Sequence, residues 1–242
     1  MRMKKRQKIR TGILLGMFFI FPAIYYYFSP YLIIQSTTER IINGSFLVFL
    51  FFFIVSLILG RFYCGWICPA AGCQEVIIPV RNRRIKRGNW VKWMFWIPWM
   101  SAIVLAAVKN GGYREIDFLY QTKWGISIQD IYSFITYLMV LLLIVLPAYL
   151  IGRRSFCHHI CWMAPFMILG RKVRNVFQWP ALRLRANPEN CIQCHTCTEH
   201  CLMSLEVESM VAASRMENPE CILCGSCVDG CNQNAIQYVF RK

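Results

Sequence analysis

The chain has 242 residues, of which 57% are hydrophobic and only 16% charged, too few charges to solvate a soluble protein of this size. Seven acidic against three basic residues leave the segment from Ala186 onward at −4, so residues 1–185 hold +19 of the net +15. Because those basic residues flank long apolar runs, they argue for orientation in a membrane and against a nucleic-acid partner.

A basic leader (Arg2, Lys4, Lys5, Arg6, Lys8 and Arg10) precedes a first apolar run from Thr11 to about Ile34. Its length, with no small-residue cleavage site behind it, predicts an uncleaved span and not a signal peptide. A second run, Ile41 to Gly60, ends in Gly-Arg-Phe-Tyr-Cys64-Gly-Trp-Ile-Cys68-Pro69, with Cys73 following. Cysteines at i and i+4 present both sulfurs on one helix face. A third run, Trp93 to Val108, carries Trp90, Trp93, Trp96 and Trp99 at every third position, read as a packing or interfacial stripe. A fourth, Ile131 to Ile151, holds Pro147 and leads into a second motif, Cys157-His158-His159-Ile160-Cys161.

The segments between these runs alternate in charge. The leader, the 61–92 segment and the stretch after Ile151 are strongly basic, while Glu39 with Arg40, and Lys109, Arg114 and Lys123 against Glu115, Asp117 and Asp130, balance. Excess Lys and Arg stay inside, which predicts four spans of a cytoplasmic (inner) membrane with both termini and every cysteine motif on the cytoplasmic side, in contact with membrane lipid.

The tail repeats one pattern at a period of 30 residues: Cys191-x2-Cys194-x2-Cys197-x3-Cys201, then Cys221-x2-Cys224-x2-Cys227-x3-Cys231, each run preceded by Asn-Pro-Glu. Three closely spaced thiolates wrap one cubane, and the fourth cysteine serves the other cluster. The expected ligand sets for two [4Fe–4S] clusters are therefore Cys191, Cys194, Cys197 and Cys231, and Cys221, Cys224, Cys227 and Cys201. Ile192 and Ile222 are expected to shield them from water, and His195 and His200 to be surface residues. Zinc is remote for eight cysteines in this arrangement, and disulfides fit poorly with metal-ligand spacing.

The five remaining cysteines lie beside the membrane runs. Buried apolar cysteine is the plain alternative for them, but two matched pairs at equivalent places in a duplicated hairpin favour a metal or redox role. Four thiolates, Cys64, Cys68, Cys157 and Cys161, predict a third metal centre, most simply a further [4Fe–4S] cluster. The expected fold is an all-α four-helix membrane domain (1–185) with a small α+β two-cluster, bacterial-type ferredoxin domain (186–242).

Cys64, Cys68 and Pro69, with Cys157 and Cys161 in a second motif where Trp162 replaces Pro, make the chain resemble the NapH-like membrane ferredoxins, a family with four spans, two CX3CP motifs and a C-terminal two-cluster domain. That resemblance implies an oxidoreductase subunit of the quinol dehydrogenase type, linking the quinone pool to a partner reductase or other redox protein. The polar groups near the CX3C motifs (Tyr63, Glu75, His158 and His159) are the catalytic candidates. The alternative is a metal-cofactor assembly factor whose CX3C thiols bind or reduce an ion such as copper, since soft thiolates suit Cu(I); Cys73 is unassigned.

Overall fold

The computed structural model describes residues 4–85 and 87–241; Arg2, Lys86 and Lys242 of the charge pattern lie outside them. α1 (Lys5–Ile24) buries Gln7, Arg10, Leu14 and Phe21, a single helical stripe. A 3₁₀ turn (Tyr25–Phe28) separates it from α2 (Pro30–Thr38), which Ser29 caps by accepting from the Leu32 amide. The first apolar run is thus two helices, because Pro30 has no amide to extend α1 and is suited to opening a new helix.

Strand β1 (Ile41–Asn43) leads into α3 (Gly44–Leu59), whose N-cap Asn43 accepts from the Phe46 amide at 2.9 Å. Next come the short α4 (Phe62–Trp66), α5 (Pro69–Ile77) and α6 (Val91–Lys109), then strand β2 (Glu115–Asp117), which pairs in parallel with β1 and ties two interhelical connections together. α7 (Ile131–Leu150) starts from a capping box between Asp130 and Ser133. It is followed by α8 (Ser155–His159) and α9 (Ala164–Phe177).

The α1–α2 run, α6 and α7 are long and apolar enough to cross a membrane, whereas α3 has 16 residues, a rise of about 24 Å against a hydrocarbon thickness of about 30 Å. Large apolar side chains such as Phe19, Phe51, Phe95, Leu105 and Leu142 are exposed on the outer faces of these helices, a far larger apolar surface than a soluble monomer presents.

The runs α3–α4–α5 and α7–α8–α9 are copies of one plan. In each, a long helix breaks at a glycine of positive φ (Gly60 at 57°, Gly152 at 148°), passes through one turn of helix and starts a second helix. The copies interlock: α9 packs on α3 and α5 on α7. α9 runs parallel to α3, with Phe166 against Phe49, Gly170 against Phe53 and Ser56, and Arg174 beside Gly60. At Gly170 a Cβ would collide with the Ser56 hydroxyl, so glycine is needed for this approach.

The tail fold opens ahead of Ala186 with β3 (Ala181–Ala186), antiparallel to β4 (Ile236–Arg241). Between them lie α10 (Thr196–Glu199), α11 (Val207–Ala212) and α12 (Ser226–Gly230). This unit is docked on the helical half by charge. Arg61 and Lys92 both hold Glu220 (2.7 and 2.6 Å), Arg174 and Arg171 hold Glu217, Arg6 holds Asp229 at 2.7 Å and Arg84 holds Glu206 at 2.9 Å. These six basic residues of 1–185 thus bind the acidic tail, and four of the tail's seven acids are paired with the helical half.

Candidate metal centres

In the tail, one small cavity is lined by Cys201, Cys221, Cys224 and Cys227, and another, of about 170 Å³, by Cys191, Cys194, Cys197 and Cys231. These are the two crossed sets that the spacing predicts. Each set has a matching amide-to-sulfur bond: Leu205 N donates to Cys201 Sγ at 3.4 Å and Ala235 N to Cys231 Sγ at 3.3 Å. Hydrogen bonds of this kind hold charge on cluster sulfurs. In the inner set Cys201, Cys224 and Cys227 are buried and Cys221 is partly so, and burial pushes the Cys201 thiol up to about 12. In the outer set Cys194 is exposed, and the Thr196 hydroxyl and amide pull its thiol down.

Each isoleucine lines the cavity of its own cysteine set, but the two differ in exposure. Ile222 is 2% exposed, but its counterpart Ile192 is 66% exposed. Ile222 is covered because the second loop faces α4, where its carbonyl lies so close to Gly65 that no Cβ would fit.

Cys64, Cys68, Cys157 and Cys161 are all buried, and each lies within electrostatic reach of the other three. The local backbone is the same in both motifs. The Tyr63 carbonyl accepts from Ile67 and Cys68 (2.9 and 3.0 Å), and the Phe156 carbonyl accepts from Ile160 and Cys161 (3.0 and 2.9 Å). Burial pushes the Cys68 and Cys161 thiols up, and the Ala71 and Ala164 amides, in the first turns of α5 and α9, offset only part of that. Contacts also cross between the copies: Gln74 donates to Cys157 Sγ at 3.2 Å, and Met167 Sδ meets Cys64 Sγ at 3.3 Å. Gln74 and Met167 each lie six residues after the second cysteine of their own motif.

Arg61 and Arg154, each three residues before the first cysteine of a motif, are completely buried. Arg61 lies near Cys64 and Cys157, and Arg154 near Cys157, Cys68 and Cys224. Both keep guanidinium nitrogens with no partner: Nε of Arg61, and Nε and Nη1 of Arg154. Orphaned buried donors cost free energy and suit an anionic group among the thiols.

Sequence reasoning missed Gln74, Met167, Arg61 and Arg154. For the arginines, recurrence three residues ahead of each motif was the available signal; Gln74 and Met167 share an offset but not a residue type, so the sequence offered none for them.

The other polar candidates are placed as follows. The Tyr63 ring packs on Phe52 (4.2 Å between centroids), and Glu75 is clamped between Arg10 and Arg154. His158 is buried with Nδ1 against Asn89 Oδ1 at 2.5 Å, its charged form disfavoured by burial, and His159 turns back to Ser155. Cys73 is buried. A separate apolar cavity of about 490 Å³ reaches from Pro69, Ala70, Phe156 and Met163 out to Tyr31 and Thr136. Among the described residues, none of the four polar candidates lines it.

A family model described as a 4Fe-4S binding domain matches residues 44–88 and 132–180, one copy of the helical plan each, and a 4Fe-4S dicluster domain model matches 190–236. An uncharacterized protein of Methanocaldococcus jannaschii is 22% identical over 78% of this chain and 77% of its own length. YccM of Escherichia coli, named for electron transport, is 22% identical over 83% of this chain, which spans only 57% of YccM. The methylamine utilization ferredoxin-type protein MauN of Paracoccus denitrificans is 25% identical over 82% of this chain and 68% of its own length. No solved structure matches the chain.

Proposed function

We propose that the chain is a membrane-anchored iron–sulfur electron-transfer protein, with four membrane segments, its cysteine motifs on the cytoplasmic side and three [4Fe–4S] clusters in line. The observation that carries this reading is the meeting of Cys64, Cys68, Cys157 and Cys161 in one buried site directly against the inner cysteine set of the tail. Arg154 is within reach of both Cys157 and Cys224, and Trp66 Nε1 donates to the Leu223 carbonyl at 3.0 Å. Bound clusters would supply one-electron carriage; the protein's part is to space, shield and bias them.

The membrane partner, in this reading, is a quinone, as the NapH-like resemblance implies. The apolar cavity beside Pro69, Ala70 and Met163 supports it, having the size and lining of a small-molecule site. Glu75 and His158 then act as structural partners of Arg154 and Asn89. The test is reoxidation of the dithionite-reduced protein by a short-chain quinone. Thr136→Trp, which fills the cavity, is expected to suppress quinone reoxidation at least tenfold while leaving reoxidation by ferricyanide intact; equal quinone rates would remove the cavity from the reading. The metal-assembly alternative finds less support. The four thiols are buried, which closes them to an incoming ion.

A further inference from the structure

The two ferredoxin loops have the same shape and opposite surroundings. Gln193 and Leu223 both adopt positive φ (54° and 50°), as do His195 and Gly225 (59° and 77°). In the second loop Ile222, Leu223 and Gly225 are buried against the rest of the molecule, and the loop lies on Gly65 and Trp66. In the first, Ile192, Gln193, Cys194 and His195 are all exposed. The chain has thus placed one copy of this loop on a protein surface and left the other, with an apolar tip, facing outward. His195 holds a left-handed backbone that costs free energy for any residue but glycine, and its ring pairs with Glu208 on α11.

Charge separates the two copies in the same way. Glu217, Glu220 and Asp229, around the second run, are bound to arginine or lysine of the helical half. Around the first, Glu189, Glu199 and Glu208 form no ion pair with it among the described residues, and the exposed Glu206 alone pairs with Arg84. From Ala186 to Ser214 there is no Lys or Arg, in a chain that has 27 of them.

We infer that the face centred on Ile192 and Cys194, rimmed by Glu189 and Glu208, is the docking surface for a soluble redox protein that presents an apolar patch ringed by basic residues. The inference rests on the electron-transfer reading and names the partner class at its outer end. Docking there would cover the exposed cysteine set, through which one electron passes between the two proteins. A rim of opposite charge steers such encounters and makes their rate fall with salt.

The experiment uses the detergent-solubilised, dithionite-reduced full chain and follows electron transfer to oxidised cytochrome c, a cationic haem protein, as the probe. The second-order rate constant is expected to fall about tenfold between low and physiological ionic strength. Glu189→Lys with Glu208→Lys should lower the low-salt rate about tenfold and flatten the salt dependence. Glu115→Lys with Asp117→Lys, an equal charge change on β2, should leave it within about twofold. Ile192→Ser should slow transfer at every salt concentration, with iron content unchanged in all variants. Equal loss from the β2 reversal, no effect of the Ile192 and Glu189/Glu208 changes, or faster reaction with the anionic protein flavodoxin would each overturn the inference. Since dithionite supplies the electrons, failure of the quinone reading leaves this test standing.

Discussion

Arg61 and Arg154 occupy the same place in the two helical copies, three residues ahead of a CX3C motif, and both guanidinium groups are fully buried with nitrogens left unpartnered. Each also has one carboxylate partner, Glu220 at 2.7 Å and Glu75 at 2.6 Å. The carboxylates hold the arginines in position near the thiols, Arg61 beside Cys64 and Cys157 and Arg154 beside Cys157 and Cys68. Removing one such positive charge should make a cluster there harder to reduce. A unit charge a few ångströms away is worth about 2–4 kcal/mol at an effective dielectric near 20, or on the order of 100 mV for one electron. Arg154→Gln is therefore expected to lower the midpoint potential of the CX3C centre by that order, read by redox titration with EPR, while Arg154→Lys recovers most of it. A potential unmoved in Arg154→Gln would leave the arginine a purely structural role.

Iron content tests the third centre itself. Three cubanes give roughly 12 Fe per chain and two give about 8. Cys157→Ala should remove about four Fe and spare the tail clusters. Anaerobically reconstituted wild type that never exceeds two clusters would show that the CX3C thiols hold no cubane.

How far the site was legible in the sequence depends on which residues are considered. The tail's two cysteine sets follow from ligand spacing, because a loop short enough to wrap a cubane leaves one outcome for the fourth ligand. The duplicated helical plan was visible in the paired motifs. What spacing could not carry was the interlock, in which α9 crosses to α3 and α5 to α7, since that depends on Gly170 meeting Ser56 and other long-range contacts. The basic residues carry a second role that the charge pattern does not reveal: beside their part in the charge alternation, Arg61, Arg171 and Arg174 are buried against Glu220 and Glu217 of the tail. Ile192 and Ile222 are indistinguishable by motif position and differ only in what the fold brings over them.

Glu217 gives the docking a pH signature. Burial alone would raise its carboxyl, but hydrogen bonds and charge from Arg171, Asn175 and Arg174 outweigh that and bring it from the ordinary 4.5 down to about 2. A carboxylate depressed on folding contributes stability in full above its unfolded value, and that stability is lost as pH falls through the window from about 4.5 to about 2. The thermal midpoint in detergent should thus be flat in this respect from pH 8 to pH 6 and fall below about 4.5. Glu217→Gln is expected to cost on the order of 2 kcal/mol at pH 7, discounted for its partial exposure, and to shrink the acid-induced loss. An unchanged acid profile in the variant would assign that loss to other groups.

The proposed orientation is checked by a reporter fused after the last residue. A fusion active only in the cytoplasm, with one in the β1–β2 region active only on the far side, is the expected pattern from the arginine and lysine distribution. Reversed activities would invert the placement of every cysteine motif.

Gly65 is a point of close backbone approach between the helical half and the inner cysteine set. A Cβ there would run into the Ile222 carbonyl and crowd the Cys224 amide, and backbone on both sides leaves no flexible side chain to move aside. Gly65 sits between Cys64 and Cys68, so whatever displaces it also moves the loop that holds Cys221, Cys224 and Cys227. Gly65→Val should therefore widen the separation between the CX3C site and the tail while the ligands of both remain in place. Electron transfer weakens steeply with distance, so the expected result is full iron content with slowed reduction of the tail clusters from the membrane side. Dithionite, which reaches the exposed Cys194 side directly, should still reduce the tail at the wild-type rate. Loss of iron from Gly65→Val would show that the contact is needed for cluster assembly. Unchanged transfer from the membrane side would show that electrons do not cross at this contact.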